Sequence, residues 1–277
     1  MSTSFEARIV LRPRSLDETF DLAIRYFRAT MRDFMKMYAI FTIVITGGIV
    51  GAAIFFDLSF EVQGALAVAI VPFYERVVTV FAGRHLFANP TSISAAFGAV
   101  LKRFAFLSMH AAIILAPVLM ILLSDDEGTL AAFGVMLGLA WGLFVVPSHM
   151  HVTEVVLLEQ LPAGRAIKRA RILLHNSFGR ALGSFVFTGV VRGCVVAMVY
   201  FGLNFIVGFV LQFESASEHL GPYFAVFGYV LAAPYVALAR LFDYVDARTR
   251  REGWDIQVRF NAIAQKYARE EAKRLAA

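Results

Sequence analysis

Five ionisable side chains fall inside or at the ends of long apolar stretches: Glu75, Arg76, Glu154, Arg192 and Arg240. A charge at membrane depth is costly, so such residues face a helix-bundle interior, pair with each other, or line a proton or solute path. Adjacent residues on a helix point about 100° apart, so Glu75 and Arg76 need separate partners. Arg192 or Arg240 could serve Glu75, and Glu154 could serve Arg76. Arg76, Glu154 and Arg240 also lie close to the ends of their apolar runs, where a long side chain can snorkel to the interface. Structural pairing or snorkelling is the plainer expectation, and a solute path the sharper one.

His149, His151 and Glu154 raise metal chemistry. His151 and Glu154 are three apart and share a helix face, the arrangement of a carboxylate–imidazole ligand pair. His110 lies in a neighbouring run. A second matching ligand pair is missing from the sequence, and His149 and His151 point to nearly opposite faces. No metal and no cofactor is therefore expected, with His151 and Glu154 the weak candidates. Catalytic motifs are absent too: no P-loop, no nucleotide-binding glycine fingerprint and no HExxH. No serine sits in a nucleophile elbow. The single cysteine, Cys194, is embedded in an apolar run. An enzyme is not expected.

The elements that carry these residues are apolar runs of bilayer length. The chain is 59% hydrophobic, against about 45–50% for a soluble domain, and its mean hydropathy is +0.68. A span takes about 20 apolar residues. Six such runs are drawn, over residues 37–56, 62–81, 104–123, 129–148, 194–213 and 221–241. Helix is the form that satisfies its own backbone in hydrocarbon. Three intervening loops are acidic: Asp57 and Glu61, then Asp125, Asp126 and Glu127, then Glu214 and Glu218. All 26 Lys and Arg fall elsewhere. The positive-inside rule then puts both termini in the cytoplasm. The pI of 9.5 reads as topology rather than as nucleic-acid binding. Partners expected are the bilayer, its anionic inner-leaflet lipids, and a membrane or cytoplasmic protein.

A unit recurs along the chain. Leu16, Phe20, Ala23 and Phe27 make one apolar helical stripe, and Ile93, Phe97, Val100 and Phe104 repeat it at the same offsets. Ile167, Ala170, Leu174 and Phe178 form a weaker third copy after Pro162. Ser15 and Ser92 stand at N-cap positions, with Glu18 completing a capping box. Asp21 and Arg25 can pair at i,i+4. The expected fold is all-α and polytopic: six transmembrane helices as three hairpins, each preceded by an amphipathic interfacial helix. The stripes either dip into lipid or pack on the protein's own end. Gly134, Gly138 and Gly142 recur at four-residue spacing, as do Gly47 and Gly51, and Gly189 and Gly193. Such spacing lets helices pack closely within the chain or between copies in a homo-oligomer. The apolar stretch from Ala181 to Phe213, with Arg192 inside, exceeds one crossing. It is either a long tilted span or an interfacial helix that turns inward near Arg192.

A single membrane domain of 1–242 is drawn, in units of about 13–89, 90–161 and 162–242. A charged cytoplasmic tail of 243–277 follows, helical in part, with Phe260, Ile263 and Tyr267 on one stripe. The segment Asp246-Ala247-Arg248-Thr249-Arg250-Arg251-Glu252-Gly253-Trp254-Asp255-Ile256 resembles the ending of the glycerophosphoryl diester phosphodiesterase membrane domain-like family, bacterial six-span integral membrane proteins. The opening Arg12-Pro13-Arg14-Ser15-Leu16 is similar as well, as is Glu154 to Glu159 followed by Ala166, Arg169 and Arg171. The resemblance implies a bacterial inner-membrane location. It transfers no catalytic residue, because the phosphodiesterase barrel that names the family has no counterpart in these residues. The leading functional expectation is a non-enzymatic scaffold, partner-binding or membrane-shaping protein. The alternative is a transporter or channel for a small solute or lipid, built on Glu75 and Arg76.

Overall fold

A computed structural model describes residues 12–87, 91–122 and 129–253. The described residues are helical, with no strand among them. The first helix, α1 (Leu16–Phe56), runs 41 residues without a break. At 1.5 Å per residue it is about 61 Å long, twice a hydrocarbon core of about 30 Å. Within α1 the sequence offers no Gly or Pro before Gly47, so nothing stops the helix between its amphipathic and apolar halves. The first interfacial helix and the first span are thus one element, a correction to the expected layout. Asp57 closes α1 in the left-handed conformation, at φ 49°.

The chain then returns through α2 (Phe60–Leu86), which carries Pro72 in its interior. The short α3 (Ile93–Leu101) and α4 (Phe104–Leu122) meet at a 73° bend. Next come α5 (Thr129–Ser148), α6 (Val152–Leu158), α7 (Ala163–Leu174) and α8 (Phe178–Asn204). A π-helical segment, Phe205–Val210, extends α8, and α9 (Glu214–Glu252) completes the bundle. Gly253 ends α9 with φ 57°, a conformation that glycine adopts without strain. Among the described residues, five helical stretches are long and apolar enough to cross a membrane: Leu16–Phe56, Phe60–Leu86, Ala132–Leu158, Phe178–Val210 and His219–Glu252. The bent pair α3–α4 makes a sixth if counted as one span. Between the two readings of the stretch around Arg192, the helix continues: α7 stops at Leu174, and Arg192 lies mid-way along α8.

Helices α2 and α9 form the centre, packed on each other and flanked by α1 and α8. Both helices are largely buried, with Val71, Tyr74, Val78, Val230, Ala233, Ala237 and Leu241 in the core. At Gly228 a Cβ would sit 2.9 Å from Val196 Cα, so the absence of a side chain sets how near α8 and α9 approach. The outer faces are the reverse of a soluble surface. Phe55 is 81% exposed and Phe209 73%, among many large apolar side chains. Patches of this extent call for a cover such as lipid.

The second and third stripes hold at Val100 and Ala170 and fail at Phe97, Phe104 and Phe178. In α3 the buried side chains are Ala96 and Val100, while Phe97 and, in α4, Phe104 are exposed. In α7 they are Ala166, Ala170 and Leu173, while Ile172 and Phe178 are exposed. Small residues let these helices sit against the bundle, and the larger ones are left outward. In α1, Phe20 and Ala23 are buried as the stripe requires. The N-caps form: Ser92 Oγ accepts from Ala95 N at 3.2 Å, and Glu18 accepts from Ser15 N at 3.3 Å. Asp21 and Arg25 pair at 2.8 Å.

The boundary drawn at 243 falls inside α9, whose residues Asp243, Tyr244, Val245, Asp246 and Thr249 are buried. This stretch is core rather than tail. The stripe of Phe260, Ile263 and Tyr267 lies outside the described residues, as does the loop Asp125–Glu127. On α5, Gly134 is buried and Gly138 and Gly142 are half-buried. A Cβ on Gly142 would touch the Phe185 ring of α8 at 3.7 Å. Gly47, Gly51, Gly189 and Gly193, by contrast, meet nothing within 4 Å.

Candidate functional site: a charge-lined chamber

Two proline-bearing elements shape the site. Pro72 in α2 lies one turn before Glu75 and Arg76. Pro147 lies in the last turn of α5, and the chain turns through His149, Met150 and His151 before α6 begins. A proline gives no backbone donor and disturbs the turn before it. The break after Pro147 leaves the Met150 carbonyl free to accept from Arg240 at 3.3 Å. Around these turns lies a chamber of about 210 Å³, far above the roughly 10–15 Å³ that one water needs. Glu75, Arg76, His110, His149, Arg192 and Arg240 line it, with Tyr229 and Thr153.

The structure brings all five sequence-predicted charges to this place; the expected partnership of Glu75 with Arg192 or Arg240 forms, and that of Arg76 with Glu154 does not. Glu75 takes both arginines. Arg192 donates to its Oε1 in a short contact, and Arg240 stands 3.6 Å from its Oε2. Arg192 also donates to Tyr229 Oη at 2.8 Å and lies over that ring. Glu154 is held by Arg240, at 3.2 Å, rather than by Arg76. Arg76 is left over. It is 6% exposed, its Nε has no hydrogen-bond partner, and no carboxylate among the described residues lies within ion-pair distance. Among the described residues, three guanidinium groups meet two carboxylates here, one positive charge beyond balance. A buried charge without a partner costs several kcal/mol, and the chamber is the place where a counter-anion can enter.

His110 adds a second open group, since its Nε2 is buried without a partner. Its ring lies 5.9 Å from that of His149, which shares Nδ1 with Ser148 Oγ and the Val145 carbonyl. His151 does not join them. It is buried with Nε2 3.7 Å from Asp243, while Glu154 turns to Arg240. The weak metal candidates therefore point to different partners, and no group of three metal-ligating side chains is present among the described residues.

A second buried network ties the basic ends of the helices together. Arg180 donates to Asp243 at 3.2 Å, to the Arg14 carbonyl at 3.1 Å and to Thr19 at 3.0 Å, and lies 2.9 Å from Asp246. Asp246 further accepts from Arg14 N and from Arg250, each at 2.7 Å. Glu252 pairs with Arg169 and, at 3.1 Å, with Arg248, and Glu159 pairs with Arg169 and accepts from Tyr244 at 2.7 Å. The residues that carried the family resemblance thus fasten α9 to α1, α7 and α8. Sequence reasoning missed Arg180, Asp243 and Tyr229. The signal available was the i,i+3 spacing of Asp243 and Asp246 directly after an apolar run, which reads as tail only if the helix stops at Leu241.

Comparison of the chain with protein-family models, with curated proteins and with solved structures gives no match. The functional reading rests on the chain's own side chains.

Proposed function

We propose that this chain is a non-enzymatic six-span protein of the bacterial inner membrane that binds and passes a small anionic solute through the chamber at Arg76. In this reading the helices form three hairpins, with α3 and α4 together as the third crossing and both termini in the cytoplasm. The division of acidic loops from basic segments supports that orientation, and the terminal motif's resemblance to the six-span family agrees with it. The observation that carries the function is Arg76: a buried cation, unpaired among the described residues, on the wall of a chamber of about 210 Å³. Glu75, committed to Arg192 and Arg240, positions the walls and leaves Arg76 for the ligand. Inorganic phosphate titrated into the purified protein should raise its unfolding temperature, and Arg76→Gln should remove that response. An equal response in the variant would end this reading.

A scaffold or membrane-shaping role is the second reading. Large apolar side chains on α3 and α7, Phe97, Leu101 and Ile172, are exposed beside Lys102, Lys168 and Arg171, the make-up of helices that enter one leaflet. Vesicle binding that persists after charge reversal of Lys168 and Arg171 would count against it.

A further inference from the structure

Resting on the chamber reading, we infer that its ligand is an anionic amphiphile of the inner leaflet, with the head group held at Arg76 and the chain laid in a groove along α8. The groove has a volume of about 410 Å³ and is lined by Gly189, Arg192, Gly193, Val196, Ala197, Tyr200 and Tyr229. It shares Gly189, Arg192 and Tyr229 with the chamber, so the polar cavity and the apolar groove adjoin at these residues. Their common lip is the Arg192–Tyr229 pair.

Three features favour a lipid chain as the occupant. Gly189, Gly193 and Ala197 recur every four residues and so share one helix face. A Cβ on either glycine would meet nothing within 4 Å, so these glycines are not used to seat a neighbouring helix within the chain. They leave a furrow instead. The direction is also right. In the proposed orientation the chamber lies toward the cytoplasmic side, and α8 runs from Arg192 to Tyr200 toward the bilayer centre. Eight residues cover about 12 Å, close to the roughly 15 Å of hydrocarbon in one leaflet. An inner-leaflet lipid has this polarity: anionic head near the cytoplasmic boundary, chain toward the midplane. The charge is complementary as well, one cation in excess against an acidic head group.

The test uses the full chain in dodecyl maltoside micelles with two probes, dodecyl phosphate and inorganic phosphate. Micelles already shield the chain from water, so its advantage comes from presenting the head group at a high effective concentration. Dodecyl phosphate should bind at least about tenfold more tightly than phosphate. Gly193→Phe and, independently, Ala197→Phe fill the groove and should remove most of that advantage while leaving phosphate binding unchanged. Arg76→Gln should weaken both probes. Equal affinity for the two probes, with both groove variants silent and Arg76→Gln still harmful, overturns the amphiphile and keeps the chamber. Unchanged binding of both probes in Arg76→Gln overturns the two together.

Discussion

Glu75→Gln is the perturbation whose size follows most directly from the geometry. The carboxylate is buried, is hydrogen-bonded by Arg192 and lies 3.6 Å from Arg240. Two unit charges about 4 Å apart interact by about 4 kcal/mol at an effective dielectric of 20. Removing one partner of a buried pair typically costs about 3–5 kcal/mol. Glutamine keeps a carbonyl acceptor for Arg192, and Arg240 keeps Glu154, so the expected loss is at the lower end, about 3 kcal/mol. The internal comparison is Asp21→Asn, whose pair with Arg25 is 75% and 54% exposed; such a pair contributes about 0.3–0.5 kcal/mol. Unfolding by dodecyl sulfate in mixed micelles, followed by far-ultraviolet circular dichroism, reads both. Adding Arg192→Met to Glu75→Gln should recover part of the loss, because the Arg192 guanidinium is then no longer left without its carboxylate. If Glu75→Gln unfolds within about 0.5 kcal/mol of the parent, like Asp21→Asn, the reasoning from burial and pairing is refuted.

Other outcomes follow from the same packing. Gly228→Ala forces a Cβ to within 2.9 Å of Val196 Cα and should destabilise by about 1–3 kcal/mol. Gly51→Ala, in open space, should be neutral or stabilising by up to about 1 kcal/mol; equal effects would contradict the α8–α9 contact. Asp246→Asn weakens contacts with Arg180 and Arg250, and a loss of about 3 kcal/mol is expected in the same assay. In a Cys194→Ala background, an impermeant thiol reagent applied to intact cells should label Asp57→Cys and spare Arg251→Cys. The reverse pattern would invert the proposed orientation.

Much of the fold is legible because hydrophobic length and charge sign act locally. The runs that became α2, α5 and α9 need no tertiary information, and neither does the partnership of Glu75 with basic residues on other helices. What escapes the sequence depends on where helices stop and which way they face. Nothing between Phe27 and Met37 ends α1, yet its polar middle reads as a boundary. Asp243 and Asp246 look like the start of a charged tail until Arg180 arrives from α8 to neutralise them. In α3 and α7 the apolar positions exceed what one face can bury, so periodicity alone does not decide between Phe97 and Ala96. The mispairing of Glu154 has the same origin: Arg240 reaches it from α9, and only the crossing of α2, α6 and α9 reveals that Arg76 is the residue left without a carboxylate.

The sharpest single measurement is the thermal unfolding of the parent and of Arg76→Met, each with and without dodecyl phosphate. An unpaired buried charge is a liability to the fold, so Arg76→Met should unfold at a higher temperature than the parent when no ligand is present. The parent should gain about 2.7 kcal/mol at a ligand concentration of 100 times Kd, and the variant should gain nothing. An Arg76→Met protein that is less stable than the parent, or that responds to the ligand to the same extent, would contradict the account.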